Sequence, residues 1–99
     1  MNQRLPEKEY ATLCKSILQR DRYKCRSCGL RNNLHVHHIV FRSQQGPDEA
    51  WNLITICNGC HDGVHKDVKD GVYGLTITVT FVHDTTVVTM IRRPGWKPC

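Results

Sequence analysis

Apolar side chains recur at helical spacing near the start of the chain. Tyr10, Leu13, Cys14, Ile17 and Leu18 fall at i, i+3, i+4, i+7 and i+8, which lines one face of a helix. Pro6 precedes the run, Glu7 and Glu9 occupy its first turn, and Lys15, Arg20 and Arg22 gather toward its far end. A fixed φ at proline and acids near the N-terminus both favour initiation, and the pattern predicts a helix over residues 7–20. The period then changes. Residues 34–41 are short, apolar and β-prone, interrupted by His35, His37 and His38; residues 51–56 form a second such stretch around Leu53, Ile54 and Ile56. Between them, residues 43–48 contain Gly46 and Pro47 and read as a loop. Residues 59–68 read as a short helix, weakened by Gly63.

The tail follows a period of two. Leu75, Ile77, Val79 and Phe81 alternate with Thr76, Thr78 and Thr80, and residues 87–91 can return after a turn near His83-Asp84-Thr85. This predicts a β-hairpin over about residues 74–92, with one face on a core. No repeat, low-complexity segment or linker interrupts the chain. The expectation is a single α+β domain over residues 1–99: a helix, a central part over about 21–68, and a hairpin.

Composition narrows the class. At 99 residues the chain buries little surface, so a small core calls for a covalent or metal staple. A hydrophobic fraction of 39% is too high for a wholly disordered chain, yet no run approaches the roughly 18 apolar residues of a membrane span. Residues 1–6 lack an apolar core for a secretory signal, so no membrane association is expected. The formal charge of +5 is unevenly spread: residues 1–45 carry a net +6 and residues 46–99 a net −1. A basic half suits a polyanion better than a small acidic substrate.

Six cysteines and six histidines are a heavy load for this length. Cys25-Arg26-Ser27-Cys28 and Cys57-Asn58-Gly59-Cys60 each place two thiols on a tight turn, and Gly29 permits the first of these turns. Two such knuckles complete a tetrahedral site, and the spacing points to structural zinc. A disulfide framework is the alternative, disfavoured where no secretion signal is seen. Cys14 lies in the apolar helical stripe and reads as a small buried hydrophobe; nothing around Cys99 suggests ligation.

The histidines sort by their positions. His37 and His38 are adjacent on a strand and should point to opposite faces, so one can bind a metal while the other does something else. His61 and His65 are four apart on a helix and can hold one ion. Three neutral imidazoles suit a catalytic divalent metal with open positions, not a closed structural one. His35 and His83 have no matched role, and Trp51 reads as a packing residue.

These residues together resemble the HNH nucleases, in the zinc-knuckle branch found in bacteria and their phages. The likeness is carried by His35-Val36-His37-His38-Ile39-Val40, Gly46, Asn52-Leu53-Ile54, Cys57-x-x-Cys60-His61 and His65, with Arg20 to Cys25 leading into the first knuckle. It covers about residues 7–68. It implies a ββα-metal core near 35–41, 52–57 and 59–68. It also implies His37, His61 and His65 as ligands of a catalytic ion, His38 as general base, and Asn52 as the residue orienting loop and base. A three-histidine site is softer than a carboxylate-rich one, so Mg2+, Mn2+, Ni2+ and Zn2+ are all candidates.

The activity implied is single-metal hydrolysis of DNA phosphodiesters, leaving 5′-phosphate and 3′-hydroxyl ends. The substrate would be double-stranded DNA, met in the cytoplasm of a bacterial cell by a phage or mobile-element product. Arg20, Arg22, Lys24, Arg26 and Arg31 crowd around the first knuckle, and Arg42 follows the first strand; all are candidate phosphate contacts. A zinc-knuckle nucleic-acid-binding module with an inert histidine cluster is the competing reading. His38 argues against it, since a second purely structural site has no use for an oppositely directed histidine beside His37.

Overall fold

A computed structural model describes residues 4–64 and 74–92. Helix α1 spans Glu7–Arg20, strand β1 Leu34–His38, strand β2 Leu53–Cys57 and helix α2 Asn58–Val64, followed by strands β3 Leu75–Val82 and β4 Thr85–Arg92. Helix α1 has the bounds that its spacing predicts, with Ile17 fully buried; Cys14 is only half-buried. The helix ends by a left-handed cap. Tyr23 N–H donates to the Leu18 carbonyl at 2.9 Å and Arg22 N–H to that of Gln19 at 3.0 Å, with Arg22 at φ 59° where glycine is usual.

β1 and β2 pair antiparallel, with His37 opposite Ile54 and His38 opposite Leu53. Both strands are shorter than their apolar runs. β1 stops at His38 because Ile39 and Val40 turn toward Asn52. Ile39 N–H donates to the Asn52 carbonyl at 2.8 Å, and the Asn52 side chain bonds Val40 N–H at 2.7 Å and the Val40 and Pro47 carbonyls at 3.1 and 3.0 Å. A fully buried amide must find such partners, and here they tie both arms of the β1–β2 loop together. Gly46 completes the closure: a Cβ there would lie 1.7 Å from the Val40 carbonyl oxygen.

Every residue of β2 is buried, and the strand's second edge is covered by side chains and a turn. Arg26 N–H donates to the Thr55 carbonyl at 2.9 Å, Thr55 N–H to Asp21 Oδ2 at 3.0 Å, and Arg20 Nη2 to the Leu53 carbonyl at 2.7 Å. Burial alone would raise the Asp21 pKa, but bonds from Arg20 and the Thr55 amide outweigh it and hold the carboxyl below its usual value.

A carboxyl with a lowered folded-state pKa stabilises fully above its unfolded value near 3.9, and the contribution is lost as pH falls through the folded value. Asp21→Asn should therefore lower stability at pH 7, by roughly 1–3 kcal/mol, and flatten the loss between pH 5 and 3. Thermal unfolding of parent and variant, compared at equal bound metal, checks this; identical acid profiles would remove Asp21 from the account.

β3 and β4 form a two-stranded antiparallel hairpin whose turn is His83-Asp84, with φ of 48° and 63°. Positive φ at both positions matches the turn to the twist of the strands. The predicted alternation holds as far as Val79: Leu75, Ile77 and Val79, with Val88 and Met90, pack on a core of Cys25, Ile39, Ile54, Ile56, Cys57, Cys60 and Val64, whereas Phe81 lies beyond that core and is exposed. Trp51 packs edge-on to Phe81, ring centres 5.1 Å apart, in keeping with a packing role. Arg92 donates to the Ser27 carbonyl and to Ser27 Oγ, fastening the hairpin to the first knuckle. Among the described residues, two helices and two small antiparallel sheets make the fold α+β, as expected. Helix α2 begins one residue earlier than its sequence suggests, and the part expected beyond Val64 lies outside the described residues.

Candidate metal centre and catalytic cleft

Cys25, Cys28, Cys57 and Cys60 converge, their sulfurs all within 4.8 Å of one another. The first knuckle is shaped by its own backbone. Cys25 N–H donates to the Leu30 carbonyl and Gly29 N–H to the Cys25 carbonyl, both at 2.8 Å, with Gly29 at φ 83°. Ser27 and Cys28 N–H groups point at Cys25 Sγ, each at 3.4 Å. Cys57 closes β2 and Cys60 lies within α2, so the second pair spans a strand-to-helix junction.

The donor set fits zinc. Sulfurs bound at about 2.3 Å around a tetrahedral ion are roughly 3.8 Å apart, and Cys28 Sγ and Cys57 Sγ lie 3.5 Å apart. Burial first, and the neighbouring thiols of Cys25 and Cys57 after it, push the Cys60 thiol well up from its usual value. A cation bound among the four sulfurs would favour their thiolate forms.

A second group of side chains lies where β1 ends. His37 and His38, with Phe41, Arg42, Ser43 and His61, line an open cleft of about 330 Å³. His37 is buried and meets His61 of α2 edge-on, ring centres 5.4 Å apart. Two imidazoles on one tetrahedral ion have centres about 5 Å apart, so the pair fits a shared cation. Phe41 also packs edge-on against His37, ring centres 5.5 Å apart.

His38 is held differently. Its Nε2 is 2.8 Å from Asp48 Oδ1, and its ring stacks on Tyr10 of α1 at 6.0 Å and 15°. Asp48 also receives Leu5 N–H at 3.1 Å and the Arg42 guanidinium at 3.2 and 3.3 Å. Burial would raise the Asp48 pKa, but bonds from His38, Leu5 N–H and Arg42 hold it below its usual range. The Arg42 guanidinium lies 4.6 Å over the Tyr10 ring. Two histidines adjacent in sequence are thus given different surroundings: one faces another imidazole, the other a carboxylate.

Residues 25–67, which contain both sites, match the model of the family described as HNH endonuclease. This segment is similar to the HNH family. Its four converging cysteines fit the zinc-knuckle variant, and its fold is consistent with a small HNH ββα domain. The match supports a nuclease-type hydrolytic function and, because HNH nucleases act on DNA, DNA as partner. The chain is also similar to a protein named Anaredoxin from Nostoc sp., 28% identical over 67 residues that cover 67% of this chain and 87% of that protein. No solved structure gives a significant match.

Within this segment the structure brings together His37 and His38 of β1, Arg42 of the β1–β2 loop and His61 of α2 at the cleft, with Asn52 bonded to that loop at Val40 and Pro47. His65 lies outside the described residues. The basic residues divide. Arg22, Lys24 and Arg31 are exposed, whereas Arg20 bonds Asp21 at 2.9 and 3.0 Å and the Ala50 and Leu53 carbonyls at 2.8 and 2.7 Å. Arg20 thus spends its donors on β2, and its place in the fold is structural. Arg26 and Arg42 each pair with a buried aspartate, at 3.5 and 3.2 Å.

Two features escaped the sequence reading. His35, given no role there, bonds Asn58 Oδ1 and lies 5.4 Å from the His61 ring. Asp48 falls in the stretch that reads as a loop; it is one of two adjacent acids, Asp48-Glu49, just after Gly46-Pro47, and nothing in the sequence sets it apart from its neighbour. No helix among the described residues is long and apolar enough to cross a membrane.

Proposed function

We propose that this chain is a metal-dependent DNA endonuclease in which a single divalent ion and a histidine base hydrolyse the phosphodiester bond. The observation that supports it best is the different setting of the two adjacent histidines at one cleft. His37, with His61 and His65, would hold the ion; His38, anchored on Asp48, would take the proton. A bound divalent ion supplies charge neutralisation at the phosphate and stabilises the departing oxygen.

The chain's own residues do the rest. His38, neutral, accepts a proton from water as the water oxygen forms its bond to phosphorus. The bond from phosphorus to the 3′ oxygen breaks, and that oxygen is protonated from solvent, leaving 5′-phosphate and 3′-hydroxyl ends. Asn52 holds the β1–β2 loop so that His38 and Arg42 keep their places. Arg42, which lines the cleft, would meet a phosphate, and exposed Arg22, Lys24 and Arg31 would add the positive field that draws a duplex.

Supercoiled plasmid, incubated after chelation with Mn2+, Ni2+, Mg2+ or Zn2+ in turn, tests the proposal. Relaxed or linear product should form with added metal only, and labelled ends should carry 5′-phosphate. His61→Ala should lower cleavage by at least about 10-fold and weaken the exchangeable metal while the knuckle zinc stays. DNA binding without cleavage under every metal would favour the binding-module reading instead.

A further inference from the structure

We infer that Asp48 is a positioning residue for His38, fixing the imidazole in the tautomer that keeps Nδ1 as its basic nitrogen. The inference rests on the reading of His38 as the base. Asp48 is not among the histidines, asparagine and cysteines that carry the HNH motif, and its role comes from geometry.

A carboxylate can only accept hydrogen bonds, so at 2.8 Å from Asp48 Oδ1 the His38 Nε2 is the nitrogen that carries hydrogen. In the neutral ring the lone pair then sits on Nδ1. The dyad is well enclosed, with the Asp48 side chain 1% and the His38 side chain 11% exposed. Asp48 is itself held at both oxygens. Oδ2 takes Leu5 N–H at 3.1 Å and Arg42 Nη2 at 3.2 Å, while Oδ1 takes Arg42 Nε at 3.3 Å beside its bond to His38.

The carboxylate can therefore neither rotate away nor gain a proton cheaply, and it fixes the imidazole along its own plane. Tyr10 fixes the face, stacked at 15° on His38 and covered by the Arg42 guanidinium. Leu5 and Tyr10 both precede the segment that matches the HNH family, residues 25–67. The N-terminal helix and its lead-in are thus part of the device that orients the base.

The experiment is long-range 1H–15N NMR of the histidine rings in the full, zinc-loaded chain, run beside cleavage kinetics. His38 is assigned by the loss of its signals in His38→Gln. The expected result is a single Nε2–H tautomer in the parent and a mixture of tautomers in Asp48→Asn, whose amide oxygen must serve three donors. Asp48→Asn should lower kcat about 10- to 100-fold with KM and zinc content retained, the usual effect of losing a buried orienting partner. The double variant His38→Gln/Asp48→Asn should cleave no more slowly than His38→Gln alone, because both changes act on one imidazole.

An Nδ1–H tautomer in the parent overturns the inference. So does a kcat loss in Asp48→Asn with the tautomer unchanged, or additive losses in the double variant. The tautomer is read without any cleavage, so the two readings fail separately. Parent-like cleavage by His38→Gln overturns the base itself, while the spectrum still decides whether Asp48 orients the ring.

Discussion

His38→Ala should lower the rate of the cleavage step by about 100- to 10,000-fold, the range that general base catalysis supplies. The reasoning is one of division of labour. In the proposed single-ion mechanism the proton goes to a side chain, and His38 is the imidazole at the cleft held by a carboxylate instead of facing another histidine. The substitution removes no residue of the His37, His61 and His65 set, so exchangeable metal affinity should survive.

Truncation also leaves Tyr10 without its stacked ring and removes one donor from Asp48, which keeps Leu5 N–H and Arg42. Some stability is lost, and His38→Gln separates that from chemistry. A glutamine amide can still donate to Asp48 but offers no basic nitrogen. Both variants should therefore be slow, and His38→Gln should be the more stable of the two. Plasmid cleavage, metal titration and thermal unfolding measure the three quantities. Loss of metal together with activity would make His38 a ligand; unchanged cleavage would mean that the base lies elsewhere.

Cys25→Ser should abolish tight zinc binding and unfold much of the domain. A structural zinc contributes about 10–16 kcal/mol of apparent binding free energy in small zinc-dependent folds, as much as the 5–15 kcal/mol that holds a whole domain folded. Here the sulfurs do more than bind. Cys25, Cys57 and Cys60 are themselves members of the hydrophobic core, and Cys25 Sγ accepts the Ser27 and Cys28 amides that shape the knuckle.

A hydroxyl at position 25 is smaller and harder than a thiolate, and three remaining thiols hold zinc poorly. Metal analysis of the parent should find one zinc that survives mild chelation, and the variant should lose it along with its folded circular dichroism and its cleavage. Disulfides pairing Cys25 with Cys28 and Cys57 with Cys60 in the purified parent would overturn this account.

Much of this protein is written locally, and that part could be read without coordinates. The i, i+3, i+4 stripe from Tyr10 to Leu18 determined α1, and the alternation from Leu75 onward determined the hairpin and, as far as Val79, its inward face. Periodicity is legible because it follows from the geometry of the element itself. The two Cys-x-x-Cys pairs likewise announced a four-sulfur site, since two intervening residues put both thiols on one turn. The strand–strand–helix order was legible in the apolar runs and the spacing of His61 and His65, whereas the pairing of His37 with His61 was implied by the likeness to the HNH nucleases.

What tertiary structure decided is which residue stands behind which. Arg20 belongs by charge to the basic segment, yet it faces the open edge of β2, where buried carbonyls must be paired and its guanidinium can reach them. His38 and Asp48 are ten residues apart with a loop between them. Whether they meet depends on Asn52 and Gly46 folding that loop back on Val40, and on α1 bringing Tyr10 and Leu5 to the same place. No period records such a meeting. It arises only when separate elements pack, because a buried carboxylate takes whichever donors the packed chain brings to it.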